Sequence, residues 1–474
     1  MKKAVVVLSI LVLCLSAFAS AQTVEVDVVV IGGGAAGLSA ANAAAEGGAS
    51  VILLEKMPFL GGSTVLSGGA ISFAGTDMQK ERGIVDSTEL FYQEMMREGR
   101  NKNIPELVQA YMDNQLDTFY WLKEQGVEFV DVGQGGGMSV PRAHYVNTVQ
   151  FINALAAAAE SKGVDILKNT KAVKLLTEPG TKEVIGVLAE KDGQEVTYLA
   201  RKGVVLASGG FGRDSGLLEK FVPVMAGAMG MVGAGSTGDG LRMAWELGAD
   251  IVDMPYIKAT FGMHPEGKTI DDLALTYYSG AIIVNQNGER FVDESINYKA
   301  VGDAALAQPG AIAYQIYDAK IRAEATKDPL TPLFDLEDKG MVYKADTLEE
   351  LAALIDVPAE NLKATVERYN SYAEQGFDPE CGRASLNAGS GKLVKITEGP
   401  FYAFPSTGVI FGTYGGILID SSARVIDVYG KVIPSLYAAG EVTGGVHGAG
   451  YMTGTAVGKA VIFGRIAGLS VIAD

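Results

Sequence analysis

The apolar positions of this chain fall into two regimes. Near the start, Val26 to Ile31 is apolar apart from Asp27, and its continuous part, Val28 to Ile31, predicts a strand covered on both faces. It feeds the glycine turn at 32–34, an alanine-rich stretch with helical spacing follows, and a second apolar run, Val51 to Leu54, ends at Glu55. The pattern predicts strand, helix and parallel strand. Two later strands of the same kind sit in "RKGVVLASGGFGRD" (201–214) and "SLYAAGEVTGG" (435–445), both ending in small residues. Between about 251 and 383 the pattern changes: "DLALTYYSGAIIVNQNGERFV" alternates as half-buried strands do, and helical spacing follows near 299–325 and 347–375. The reading is an α/β protein: a signal segment over 1–21, a nucleotide-binding unit over 22–250 resumed at 384–474, and an inserted α+β cap over 251–383.

The first 21 residues, "MKKAVVVLSILVLCLSAFASA", combine two lysines, a short apolar run and a small-x-small ending. They predict an export signal cleaved before Gln22, no stable membrane insertion afterwards, and a periplasmic location. A net charge of -17 argues against nucleic acid and anionic membranes as partners. Cleavage leaves Cys381 as the sole cysteine, which excludes an internal disulfide, an iron–sulfur cluster and covalent haem. Three scattered histidines predict no metal centre. Electrons must therefore come through another carrier.

The 60 glycines, nearly twice the usual share of roughly 7%, point to close backbone approach to a ligand. Gly32, Gly34 and Gly37 form GxGxxG between strand and helix, where they allow a tight turn, approach to a pyrophosphate, and helix packing on the strand. Glu55, at the end of the second strand, is placed to accept from a ribose hydroxyl. That acid favours FAD or NAD. A further glycine and hydroxyl cluster, "LGGSTVLSGGAI" (60–71), and the absence of a second GxGxxG favour FAD, with no separate NAD(P)H domain.

With "GSTGDGLRMAWELGA" (235–249), "NQNGERFVDE" (285–294) and "LYAAGEVTGGVHGAGYMTGTAVGKAVIFGRIAG" (436–468) added, nearly the whole mature chain resembles one family. It is the flavoprotein family of fumarate reductases and succinate dehydrogenases, which also holds urocanate reductase and 3-oxosteroid dehydrogenases. The resemblance implies a cap closing over flavin and substrate, and noncovalent FAD. It puts Gly32, Gly34, Ala36 and Gly37 at the pyrophosphate, and Glu55 with Lys56 at the adenosine ribose. Gly62, Ser63, Thr64, Gly68 and Gly69 would lie along pyrophosphate and isoalloxazine, Ala172 at the adenine, Asp239 and Glu441 on the ribityl side. Ala456 and Val457 would offer helix-start amides to the flavin pyrimidine edge.

The departures from the family bear on substrate. Fumarate reductases hold two carboxylates with histidines and arginines, and an arginine delivers the proton. The matching positions here are Thr260, Leu273, Ala274, Tyr277, Gly412, Tyr298 and the pair Gly450 and Tyr451. The expectation is a neutral aromatic pocket made by Tyr277, Tyr298 and Tyr451, with Thr453 nearby, suited to an apolar ring system with one polar handle. Arg142 and Lys299 are the cations left to meet an acidic substrate. The reading is an exported FAD-dependent reductase of an activated C=C bond, an enoate or enone other than fumarate, with tyrosine as proton donor. Its electrons would come from an external flavin- or haem-carrying protein. A 3-oxosteroid-type dehydrogenase is the alternative within the family, and a flavin-binding electron carrier without turnover the alternative outside it.

Overall fold

A computed structural model describes residues 22–296, 298–327, 331–387 and 389–474. The signal segment expected over 1–21 lies outside them, as does the side chain of Lys299. Two large apolar cores organise the described residues, with a small third cluster around Met263, Leu273 and Val409.

The first core surrounds a sheet with the strand order Arg424–Ile426, Val432–Ala438, Gln194–Leu206, Gln22–Ile31, Val51–Leu54 and Asp165–Leu167. The pairs from Val432–Ala438 through Asp165–Leu167 are parallel. Parallel strands require crossovers, and these bring helices onto the faces. Accordingly Val28, Val29 and Val30 are fully buried, which is why the run lacks polar alternation. The helix Ala35–Glu46 and the last helix, Thr455–Ala473, pack together where Cβ atoms would not fit. One added at Gly464 would stand 2.4 Å from the Ala36 carbonyl oxygen, and one at Gly468 2.3 Å from that of Ala40. Thr455–Ala473 has the length and apolarity to cross a bilayer, yet these contacts place it in the core.

The second core belongs to a six-stranded sheet built around Phe401–Thr413. That strand pairs with Ile257–Met263, Ile312–Asp318, Tyr343–Ala345 and Met229–Gly230. Two differences from the sequence reading follow. Residues 312–318 lie within the segment expected to be helical, but form a strand between the helices Tyr298–Leu306 and Ala319–Ala325. Their run "IAYQIYD" has hydrogen-bonding neighbours on both sides, and those pairings override local helical spacing. By strand pairing this sheet also takes in residues up to Thr413, beyond the expected cap limit at 383.

The segment "GERFVDE" owes its residue types to the second core. Arg290 donates to Glu294 through Nε (2.8 Å) and Nη2 (2.6 Å), and to Asp378 through Nη1 (2.6 Å). Arg383 lies 3.4 Å from Glu294 and donates to the carbonyls of Tyr277 and Ala281. Two guanidinium groups thus face two carboxylates with almost no solvent. Burial opposes the charge on Glu294, but Arg383 and Arg290 outweigh it and hold the carboxyl below its ordinary range. The cluster fixes the chain immediately before the helix Tyr298–Leu306. Gly302 lets that helix lie flat on the strand Ile257–Met263, since a Cβ there would meet the Thr260 carbonyl carbon at 3.2 Å.

Replacing Glu294 by alanine leaves Arg290 and Arg383 short of counter-charge. Urea unfolding at pH 7 is expected to show a loss of roughly 3–5 kcal/mol relative to wild type. The wild-type contribution of Glu294 is present above its unfolded pKa and disappears as pH falls through the depressed folded value.

Candidate active site

A cavity of 760 Å³ runs between the two units, from the glycine turn to a group of tyrosines. Its first end is formed by residues 32–36, Glu55, Lys56 and residues 170–172. Gly32 has φ +113°, and a Cβ there would lie 2.3 Å from the Ala207 carbonyl oxygen, so only glycine fits the turn. The helix Ala35–Glu46 starts at Gly34, which offers no side-chain cap; the Ala35 amide donates to Thr64 Oγ1 at 3.4 Å, and Ala35 and Ala36 of the first turn line the cavity. Glu55 accepts from the Gly33 amide at 2.7 Å and the Met57 amide at 2.8 Å. Lys56 and Asp239 pair with each other at 2.6 Å, and Lys56 also donates to Thr237 at 2.6 Å.

Along the middle, Ser63 donates to Glu441 at 3.2 Å and accepts from the Gly233 amide at 3.1 Å. Glu441 also accepts from the Thr413 amide at 3.0 Å. Enclosure pushes the Glu441 carboxyl up despite these donors and Lys459. Ser208 lines the same wall, and its buried Oγ has no hydrogen-bond partner among the described residues. An orphaned hydroxyl, an uncapped helix start and a glycine cradle are what an extended, phosphate-bearing ligand requires, so these residues fit FAD.

Of the residues expected at the cofactor, Gly32, Gly34, Ala36, Glu55, Lys56, Gly62, Ser63, Thr64, Gly68, Ala172, Asp239, Glu441, Ala456 and Val457 all line this cavity. Gly37 and Gly69 do not line it. They serve backbone crossings: a Cβ at Gly37 would meet the Gly32 carbonyl oxygen at 1.9 Å, and one at Gly69 the Val146 carbonyl oxygen at 2.2 Å.

At the far end Tyr298, Tyr451 and Thr453 line the cavity together with Tyr414, His447 and Lys258. Thr453 Oγ1 accepts from the Gly136 amide at 2.9 Å, and the Tyr451 hydroxyl accepts from the Gly454 amide at 3.1 Å. Burial raises the Tyr298 phenol above its ordinary pKa, against the pull of Lys258 and a hydrogen bond with Thr453. His447 is driven well below its ordinary value by burial and by Lys459 and Lys258, which leaves it neutral.

Three expectations for this end are corrected. Tyr277 does not line the cavity; it is fully buried in the second core, its ring 4.4 Å from that of Tyr278. Arg142 is unavailable to a substrate, because it is fully buried in ion pairs with Asp86 and Glu94. The pocket is not neutral, because Lys258 enters it from the strand Ile257–Met263 with Nζ 3.9 Å from the Tyr451 ring centroid. Burial opposes its charge, but Tyr451, Tyr298 and Glu441 outweigh burial and keep the ammonium pKa above its ordinary value. In the sequence Lys258 sits in "YIKATF", where alternation alone reads as an ordinary strand lysine. Its partner Gly412, opposite it in the sheet, is the signal that pairing supplies.

A family model described as an FAD binding domain matches residues 27–457. Over 436 residues the chain is 36% identical to a fumarate reductase (cytochrome) of Shewanella frigidimarina, covering 90% of this chain and 74% of that protein. It is 33% identical over 439 residues to a urocanate reductase of Eggerthella lenta, covering 89% of this chain and 70% of that protein. Among solved structures, a 3-ketosteroid-delta4-(5alpha)-dehydrogenase of Rhodococcus jostii superposes with a TM-score of 0.80 at 28% identity, covering 96% of this chain and 99% of that one.

Glu55→Ala removes the acceptor of two loop amides at the first end of the cavity. FAD affinity is expected to fall at least about tenfold, as the loss of one charge-assisted acceptor implies. Titration of apoprotein with FAD, followed by flavin fluorescence, checks this.

Proposed function

The chain belongs to the FAD-binding flavoprotein family that holds the fumarate reductases and urocanate reductase, and from that premise we propose a reductase of an activated carbon–carbon double bond with Tyr298 as proton donor. FAD is its cofactor, and oxidoreduction at CH–CH groups is its class of reaction. The observation that carries the proposal is the convergence of Tyr298, Tyr451, Thr453 and Lys258 at one end of the cavity. When bound, FAD supplies the hydride for the electron-poor alkene carbon.

The chain supplies the rest. A phenol held above its ordinary pKa of about 10 stays protonated at neutral pH and has a proton to give to the neighbouring carbon. Tyr451 accepts a backbone N–H at its hydroxyl oxygen, so its own O–H is left to donate to the activating carbonyl or carboxylate. Lys258 adds positive charge beside it, where negative charge develops as the double bond is reduced. Met231, Leu273, Leu275 and Phe411 give the cavity an apolar wall that limits water.

Thr260, Leu273 and Gly412 line the cavity without charge at positions where fumarate reductases are expected to hold a dicarboxylate, which supports a substrate other than fumarate. The cavity itself supports turnover over a purely electron-carrying role. Export to the periplasm, noncovalent FAD and reduction by an external flavin- or haem-carrying protein complete the proposal, the first resting on the leader-like start of the sequence.

Anaerobic assay of the holoenzyme with reduced viologen is expected to show turnover of aryl acrylates or enones and little with fumarate; fast fumarate reduction contradicts the reading. Tyr298→Phe is expected to lower kcat by about 10²–10⁴-fold. The acid form is the active one and is lost only above its raised pKa, so wild-type kcat is expected to show no alkaline decline between pH 7 and 9.

A further inference from the structure

We propose that Lys258 anchors a single anionic group, so that the substrate is an enoate with one carboxylate and an apolar body. The inference rests on the reductase reading above and narrows it.

Among the described residues Lys258 has no carboxylate within ion-pair distance, although it is enclosed by the cavity walls. Other enclosed cations face carboxylates: Arg142 faces Asp86 and Glu94, Arg290 faces Glu294 and Asp378, and Lys56 faces Asp239. Lys459, in the same cavity, also has no carboxylate within ion-pair distance, but it donates to the Thr443 carbonyl at 2.8 Å, and burial lowers its pKa to about 8 while that of Lys258 is raised. The surroundings of Lys258 keep its ammonium charged, through the face and hydroxyl of Tyr451 and the more distant Glu441, but none of them is a carboxylate in direct contact. A carboxylate entering the cavity supplies that contact. A ketone oxygen accepts a hydrogen bond but brings no charge, so it is held less strongly.

The surroundings limit the anion to one. Thr260 and Gly412 flank Lys258 on its own strand and the paired strand, and both are neutral. Met231, Leu273, Leu275 and Phe411 form an apolar stretch of the wall that suits an aryl or alkyl body.

Lys258 also favours the charged form of Tyr298, so the anchor stabilises the phenolate that proton donation leaves behind. With the carboxylate on Lys258, the proton goes from the Tyr298 hydroxyl to the carbon bearing the carboxylate. The hydride, from the two-electron flavin cofactor recharged by a reduced carrier, goes to the other alkene carbon. One π bond is lost, two C–H bonds form, and the phenolate recovers its proton from solvent.

The test compares holoenzymes of wild type, Lys258→Met and Lys258→Arg, each checked for FAD loading by absorbance. Cinnamate and its uncharged ketone analogue benzylideneacetone serve as substrates. Binding of 3-phenylpropanoate, read from the oxidised flavin spectrum, serves as a turnover-independent measure. Lys258→Met is expected to lower kcat/KM for cinnamate by roughly 100-fold, mainly through KM, and to weaken 3-phenylpropanoate binding to a similar degree. Benzylideneacetone also loses the positive charge beside the reacting bond but forms no ion pair on binding, so its kcat is expected to fall with KM little changed and its kcat/KM to fall by a smaller factor than that of cinnamate; Lys258→Arg is expected to restore most of the carboxylate binding.

Equal losses for acid and ketone, or unchanged carboxylate binding with a shifted flavin potential, overturn the anchor while leaving the reductase reading intact. A wild-type enzyme that binds none of acrylate, cinnamate and 3-phenylpropanoate also overturns it. Binding of 3-phenylpropanoate that depends on Lys258, with no alkene reduced, upholds the anchor and removes the reductase reading instead.

Discussion

Backbone crowding above the first strand is the constraint on which the remaining architecture rests. Gly32 passes the Ala207 carbonyl, Gly37 sits on Gly32 itself, and Gly440 approaches Ala36, where a Cβ would stand 2.7 Å from the Ala36 side chain. Segments near residues 32, 207 and 440 therefore meet within van der Waals distance. The last helix can then press onto the first, because Gly464 and Gly468 present no side chain to it. With that interior closed by small residues, the start of the helix Ala35–Glu46 is left at the wall of the cavity. The cavity is thus a by-product of tight packing on its floor, and its glycine turn accepts no larger residue.

What the sequence made legible was local. An apolar run covered on both faces, a glycine spacing of fixed steric meaning and an acid at a strand end each carry their message within some thirty residues, and the FAD-type sheet follows from them. The second unit was harder to read because its partnerships are distant. Residues 312–318 become a strand only because Phe401–Thr413 and Ile282–Val284 lie on either side. Tyr277 looked available for chemistry because it matched a functional position, yet its segment turns inward and Arg383 holds its carbonyl at 2.6 Å.

Lys258 shows the same limit from the other side. It occupies none of the positions at which the family carries its cations, so a comparison of those positions described the pocket as neutral. Its place follows from register: Lys258 pairs with Gly412, whose missing side chain leaves the lysine room at the cavity. The tyrosines were legible by resemblance, but their electrostatic setting required the sheet. The cluster of Arg290, Glu294, Asp378 and Arg383 belongs to the same lesson: the motif "NQNGERFVDE" carried the resemblance, and the structure shows its Arg290 and Glu294 buried in the interior with Asp378 and Arg383.

The hydrogen bond from the Thr413 amide to Glu441 ties the last residue of the central cap strand to the wall of the cofactor cavity. The opposite margin is different: Ile270 and Asp271 belong to a single 3-10 turn, Ile270 is 47% exposed, and Pro332 stands beside them at the rim. One margin of the roof is thus tied by its own backbone to the cofactor wall, and the other is made of short loops, where the half-exposed Ile270 brings the cavity wall out to solvent.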